Sequence, residues 1–190
     1  MVIGPGGALI RQGRRAVGEA MNDLSLTILT ETAEDADAID RLHERTFGPG
    51  RYTRTAYRIR EDVPHRLDLS FVARIGTLMV GSVRLSAIRI GATPALLLGP
   101  LTIEPPFRER GIGRALLESA LQKAKAKGHR LVVLVGDEPY YGRVGFRRIP
   151  KGVATMPGPV DPARLLVAEI VEGAFNGVSG PIRPDHRPLR

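Results

Sequence analysis

The sequence predicts a mixed α/β fold whose sheet combines antiparallel and parallel strand pairs. Three observations predict it. Two strand-like runs, "LDLSFVARI" (67–75) and "TLMVGSVRLSAIRI" (77–90), are separated only by a turn near Gly76, the pattern of an antiparallel hairpin. Residues 111–127 read as a long amphipathic helix between two apolar strand-like runs, a crossover that yields a parallel pair. Regular strand–helix alternation is missing, so a doubly wound parallel sheet is excluded.

Taken in order, residues 1–22 are glycine-rich and without steady periodicity, and read as a flexible N-terminal extension in which Met21 is an alternative start. From Leu24, "LSLTILTE" alternates apolar and polar residues like a first strand. "EDADAIDRLHERTFG" follows, with Ala36, Ile39, Leu42, His43 and Phe47 at helical spacing and Gly48 as a stop. Residues 51–60 are basic and admit a short second helix. After the hairpin, "ALLLGPLTIE" (95–104) reads as a buried strand interrupted at Gly99-Pro100, because proline gives the ladder no donor and needs a bulge or an end of pairing.

In the long helix, Leu116, Leu117, Ala120, Leu121 and Ala124 form the apolar face, with Gly128 just past the end. "RLVVLVG" is then a fully buried strand, "EPYYGRV" a short helix or turn, "GFRRI" a strand start, and "ARLLVAEIVEG" a last strand. The expected division is the extension at 1–22, one domain over 23–175, and a loose tail over 176–190, where prolines are frequent.

Bulk properties narrow the function. Across 190 residues, 43% are hydrophobic and 25% charged, ordinary for a globular chain and incompatible with global disorder. No apolar run reaches the roughly 20 residues of a membrane span, and the first residues lack a secretory apolar core, so the expectation is a cytoplasmic protein without a membrane partner. There is no cysteine, which excludes disulfides, thiolate metal sites and a cysteine nucleophile. The four histidines are scattered without ligand spacing, and no metal is expected. The formal charge is +8, but residues 1–20 and 181–190 each carry +2, half of the excess. With nine aromatic residues in all, nucleic-acid binding is not expected.

The motif that concentrates chemistry is "FRERGIGRALL". Arg108, Arg110 and Arg114 surround Gly111 and Gly113 where the long helix begins. Like charges so close repel unless an anion sits among them. A helix start offers unpaired N–H groups and a partial positive charge, and glycine lets a ligand approach the backbone. A di- or triphosphate is the natural guest. The loop is neither GxGxxG, since Leu116 stands where the third glycine belongs, nor GxxxxGK[ST]; it is RxxGxG. The plainer reading is a glycine-containing helix start with solvated arginines.

Joined to its surroundings, the motif resembles a known family. "LGPLTIEPPFRERGIGRALL" followed by "VVLVGDEPYYGRVGF" is similar to the GNAT superfamily of acetyl-CoA-dependent N-acyltransferases, and within it to the bacterial YhbS-like branch. The diagnostic part spans 96–149, with supporting strand order over roughly 24–172. The resemblance implies a central mixed, mostly antiparallel sheet of about six or seven strands, splayed at the middle and flanked by helices. It implies acetyl-CoA as co-substrate. Backbone N–H groups of Glu109, Arg110, Gly111, Ile112, Gly113 and Arg114, with the Arg108 side chain, would hold the pyrophosphate. Leu101, Thr102 and Ile103 would pair with the pantetheine arm.

By the same resemblance, Tyr141, four residues before Gly145-Phe146, stands where the family places its general acid, with Tyr140 as the packing partner. Glu104 lies near the position of a general base, and also reads as a surface or capping carboxylate. Asp137 stands where many relatives carry an amide that bonds the pantetheine, a contact a carboxylate cannot donate to. Without cysteine, direct attack by a primary amine in a ternary complex is the simpler route. The alternative is a non-catalytic acyl-CoA-binding or sensing domain of the same fold. The acceptor is left open between small-molecule and peptide amines, and Arg51, Arg54, Arg58 and Arg60 read either as attracting an acidic acceptor or as a solvated face. Monomer and homodimer are equally open.

Overall fold

Two tight turns fold the apolar middle of the chain into a three-stranded meander. In the computed structural model, which describes residues 25–48, 59 and 63–186, β2 (Phe71–Ile75) turns at Gly76 into β3 (Leu78–Ile90), and β3 turns at Gly91 into β4 (Thr93–Ile103). Gly91 has φ of 56°, and a Cβ there would lie 2.3 Å from the Ser179 carbonyl oxygen, so this turn admits little but glycine. Before the meander come β1 (Leu26–Thr30) and α1 (Ala36–Phe47). After it come α2 (Ile112–Ala126), β5 (Leu131–Val135), α3 (Glu138–Tyr141), β6 (Arg147–Arg148), β7 (Ala154–Thr155), β8 (Leu165–Glu169) and β9 (Gly180–Pro184). The short helix read at 51–60, apart from Ile59, and the extension at 1–22 lie outside the described residues.

The sheet runs β1-β2-β3-β4-β5-β8-β6, antiparallel except for the β4–β5 pair. The mixed, mostly antiparallel sheet expected from sequence is therefore the one observed, with a seven-strand path and two further short strands. Alternation along β5 assigns the faces. Val132 and Leu134 join Ile112, Leu116, Leu117, Ala120 and Ala124 of α2 in one core, while Leu131 and Val133 join Ile88, Leu97, Val167 and Ile182 in the other. Ile39 and Leu42 of α1 pack on Val72 and Met79 in a third cluster.

The tail expected to be loose is not so in its described part. Residues 180–184 form β9, which pairs antiparallel with Ile88–Ile90 of β3 and parallel with β7. Ile182 is fully buried between them. Proline gives a ladder no N–H donor, which a short strand tolerates, and the Pro181 carbonyl still accepts from the Gly91 N–H at 3.0 Å. Burial of Ile182 outweighs the poor strand propensity of its neighbours.

One charged cluster lies inside this frame. The Glu31 carboxylate, almost fully buried, accepts from Arg84 Nε (3.0 Å) and Nη2 (2.7 Å), and His65 Nε2 lies 2.9 Å away. Burial pushes the Glu31 pKa up, but hydrogen bonds from His65 and Arg84 more than offset this and hold it below the ordinary glutamate range. A depressed folded pKa stabilises above the unfolded value and is lost as pH falls through the folded one. Arg84→Met leaves a buried carboxylate short of its main partner, at an expected cost of about 3 kcal/mol near neutral pH. Urea unfolding of both proteins checks this: the deficit should shrink as acid protonates the Glu31 carboxylate, which removes the charge that Arg84 neutralises.

Candidate functional site

The sheet opens where β4 bulges. β4 and β5 pair in parallel at Leu96–Val132 and Leu97–Val133. On the other edge of β4, Leu98 faces Leu85 but Leu101 already faces Val83, so Gly99 and Pro100 together oppose one residue of β3. Past this bulge β4 stays with β3 while β5 stays with β8, which leaves Leu101–Ile103 and the end of β5 unpaired with each other, a slot of free strand edge. The Glu104 N–H donates to the Val80 carbonyl at 2.9 Å. By antiparallel alternation, residues 102 and 104 turn their main chain to β3, and Leu101 and Ile103 turn theirs into the slot. Arg108 Nε donates to the Ile103 carbonyl at 3.4 Å, as that orientation requires.

The loop that follows is built from left-handed backbone. Glu109 (φ 62°) is the one non-glycine residue with positive φ among the described residues, and Gly111 (φ 79°) precedes α2 as its N-cap. The first helical bond runs from the Ala115 N–H to the Gly111 carbonyl, at 3.0 Å, so the N–H groups of Ile112, Gly113 and Arg114 have no acceptor within the helix. Left-handed turns leading into such a helix start make an anion-binding concavity. The three arginines are exposed and hold exchangeable partners: Arg108 on Ile103, Arg110 stacked 5.6 Å over Phe107, Arg114 on Glu118 at 2.7 Å. Exposed pairs of this kind contribute only a few tenths of a kcal/mol and give way readily to a polyanion.

The two tyrosines of α3 point to different places. The Tyr141 ring is half-buried against the α2-side core, edge-on to Phe146 at 5.9 Å and to Tyr140 at 4.9 Å. Gly136 makes room for it, since a Cβ there would lie 2.3 Å from Tyr141 Cε2. The Tyr140 hydroxyl instead stands over the first turn of α2, where a Cβ on Gly113 would meet it at 2.2 Å. Burial pushes the Tyr140 pKa up, against a small opposing pull from Arg143, so this hydroxyl stays protonated. The expectation had Tyr140 as the packing member of the pair; the more deeply packed one is Tyr141, and Tyr140 is 42% exposed.

Glu104, just past β4, is held by a residue that the sequence reading passed over. Arg45, in the last turn of α1, donates Nε to Oε1 (3.2 Å) and Nη2 to Oε2 (2.8 Å). Beside it, Thr102 of β4 is buried with no partner for its Oγ1. Across the strand pair, the Ser82 hydroxyl lies 3.4 Å from His43 Nε2 of α1. Asp137 turns away to Arg164 at 3.2 Å. Among the described residues, no cluster of three His, Cys, Asp or Glu could hold a metal, and no helix is long and apolar enough to cross a membrane. A separate cavity of about 440 Å³, lined by Arg66, Lys127, His129 and Arg130 among others, lies at the opposite end of α2.

Comparison with known proteins agrees with this geometry. The model of the acetyltransferase (GNAT) family matches residues 36–146, from the start of α1 to Phe146. The uncharacterized N-acetyltransferase YhbS of Escherichia coli is 27% identical over 157 residues, covering 82% of this chain and 93% of the relative. The crystal structure of that Escherichia coli protein in complex with CoA superimposes with a TM-score of 0.73 at 25% identity, covering 85% of this chain and 91% of the other. A GNAT family acetyltransferase from Brucella melitensis in complex with acetyl-CoA gives 0.55 at 27% identity, covering 80% and 99%.

Proposed function

Because the chain belongs to the acetyltransferase (GNAT) family, we propose that it moves an acetyl group from acetyl-CoA to a primary amine by direct attack in a ternary complex. The observation that carries this reading is the unpaired slot between β4 and β5, followed by first-turn N–H groups of α2 that have no acceptor within the helix. Its dimensions of chemistry suit the co-substrate: main-chain groups of Leu101 and Ile103 for the amides of pantetheine, and the loop from Arg108 to Arg114 for the pyrophosphate. Relatives solved in complex with CoA and acetyl-CoA support acetyl-CoA as the co-substrate.

In the step itself, the amine nitrogen attacks the thioester carbonyl carbon as the C–S bond breaks. Slot-facing N–H groups polarise the carbonyl. The departing thiolate takes a proton from Tyr141, and the proton leaving the amine passes to Glu104. Holding amine and thioester together lowers the barrier further by removing the entropy of encounter.

One observation favours a second reading, a non-catalytic acyl-CoA-binding domain: both oxygens of Glu104 are already held by Arg45. The two readings separate in one experiment. With acetyl-CoA and a panel of primary amines, free thiol should be released only when an amine is present, and the product should gain one acetyl group by mass spectrometry. Saturable acetyl-CoA binding without amine-dependent thiol release establishes the binding domain instead.

A further inference from the structure

The Arg45–Glu104 pair bears on the acceptor, and the inference drawn from it rests on the acetyltransferase reading. Fifty-nine positions apart in sequence, the two residues meet fork to fork where the α1 side of the sheet reaches the end of β4. The Glu104 side chain is 19% exposed and that of Arg45 51%, so the pair, just past the end of β4, stays within reach of solvent. A guanidinium on both carboxylate oxygens occupies the place where an acceptor's ammonium must dock.

An acceptor amine arrives protonated at neutral pH and has to displace Arg45 to reach Glu104. A simple monoamine makes one ion pair by breaking another, and leaves the guanidinium facing a cation. An amine that carries its own acid group exchanges pair for pair: the ammonium goes to Glu104, and the acid group goes to Arg45, whose planar fork fits a carboxylate or a phosphonate equally well. An exposed pair is weak enough for this exchange.

We propose that the acceptor is a small zwitterionic amine, with a carboxylate or phosphonate a few bonds from its nitrogen, and that Arg45 is the residue that selects it. The test compares β-alanine and 2-aminoethylphosphonate with β-alanine methyl ester and propylamine, by amine-dependent thiol release in the wild type, Arg45→Gln and Arg45→Lys. The wild type should prefer an acid-bearing amine over the ester or monoamine by about tenfold or more in kcat/KM. Whichever of the two acids is preferred identifies the anion.

Arg45→Gln should abolish the preference, raising KM for the acid more than it lowers kcat while the ester gains, and Arg45→Lys should restore part of it. Equal turnover of acid and ester by the wild type overturns the proposal, even if a variant fails to fold. So does a preference that survives in Arg45→Gln. Acetyl-CoA binding with no transfer to any of these four amines overturns the inference alone, as does transfer without discrimination; the transferase reading falls with it only if the wider panel of small-molecule and peptide amines also gives no thiol release.

Discussion

Gly111→Glu is expected to weaken acetyl-CoA binding by about a hundredfold or more, with little change in thermal stability. The two effects separate because they have different physical origins. Gly111 sits at φ of 79°, where a side chain costs roughly 1 kcal/mol, but none of the described residues lies within 4 Å of the Cβ position to obstruct the new side chain. A carboxylate at a helix N-terminus also gains a few tenths of a kcal/mol from the helix dipole, which offsets part of that strain.

Binding has no such compensation. The glutamate fills the same anion-binding first turn and repels the pyrophosphate. At about 4 Å and an effective dielectric near 20, each pair of like charges costs up to about 4 kcal/mol before screening. Gly111→Ala carries the same backbone strain without the charge, and should lose less than about tenfold. Calorimetric titration of acetyl-CoA into the three proteins, with melting curves alongside, checks the set. Wild-type affinity in Gly111→Glu would return the loop to a plain helix start.

Much of the framework was legible because its signals are local. The periodicity of Leu116, Leu117, Ala120 and Ala124, with Gly128 beyond, marks α2 without reference to the rest of the chain. Gly99-Pro100 marks the bulge because proline cannot donate in a ladder. The features that escaped are those decided by distant partners. Pro181 and Pro184 argue locally against a strand, and only pairing with the far end of β3, with Ile182 sealed beneath it, makes β9. Arg45 reads as one more polar residue on the exposed face of α1; its meeting with Glu104 depends on how α1 packs over β4. The directions of Tyr140 and Tyr141 were equally hidden, because α3 is a single turn of four residues. Adjacent side chains on a helix diverge by about 100°, and clearance at Gly113 and Gly136 decides which ring goes where.

Tyr141→Phe is expected to lower kcat by about a hundredfold or more while leaving acetyl-CoA affinity within about twofold, the signature of a lost proton donor rather than a lost contact. The reason lies in where the two rings point. On the proposed function, a general acid must reach the thiolate where the pantetheine arm would meet the parting of β4 and β5. The Tyr141 ring packs against Gly136, at the end of β5, and on the same cluster as Leu101 and Ile103. The Tyr140 hydroxyl lies over Gly113, at the phosphate end. Tyr140→Phe should therefore act mainly on acetyl-CoA affinity, by a few fold, and spare kcat. Phenylalanine keeps the packing of either ring, so melting temperatures should hardly move, and single-turnover rates together with titrated affinities assign each hydroxyl to its step. If Tyr140→Phe abolishes turnover while Tyr141→Phe does not, the acid is the hydroxyl over α2, and the thioester must lie closer to that helix than the course of β4 implies.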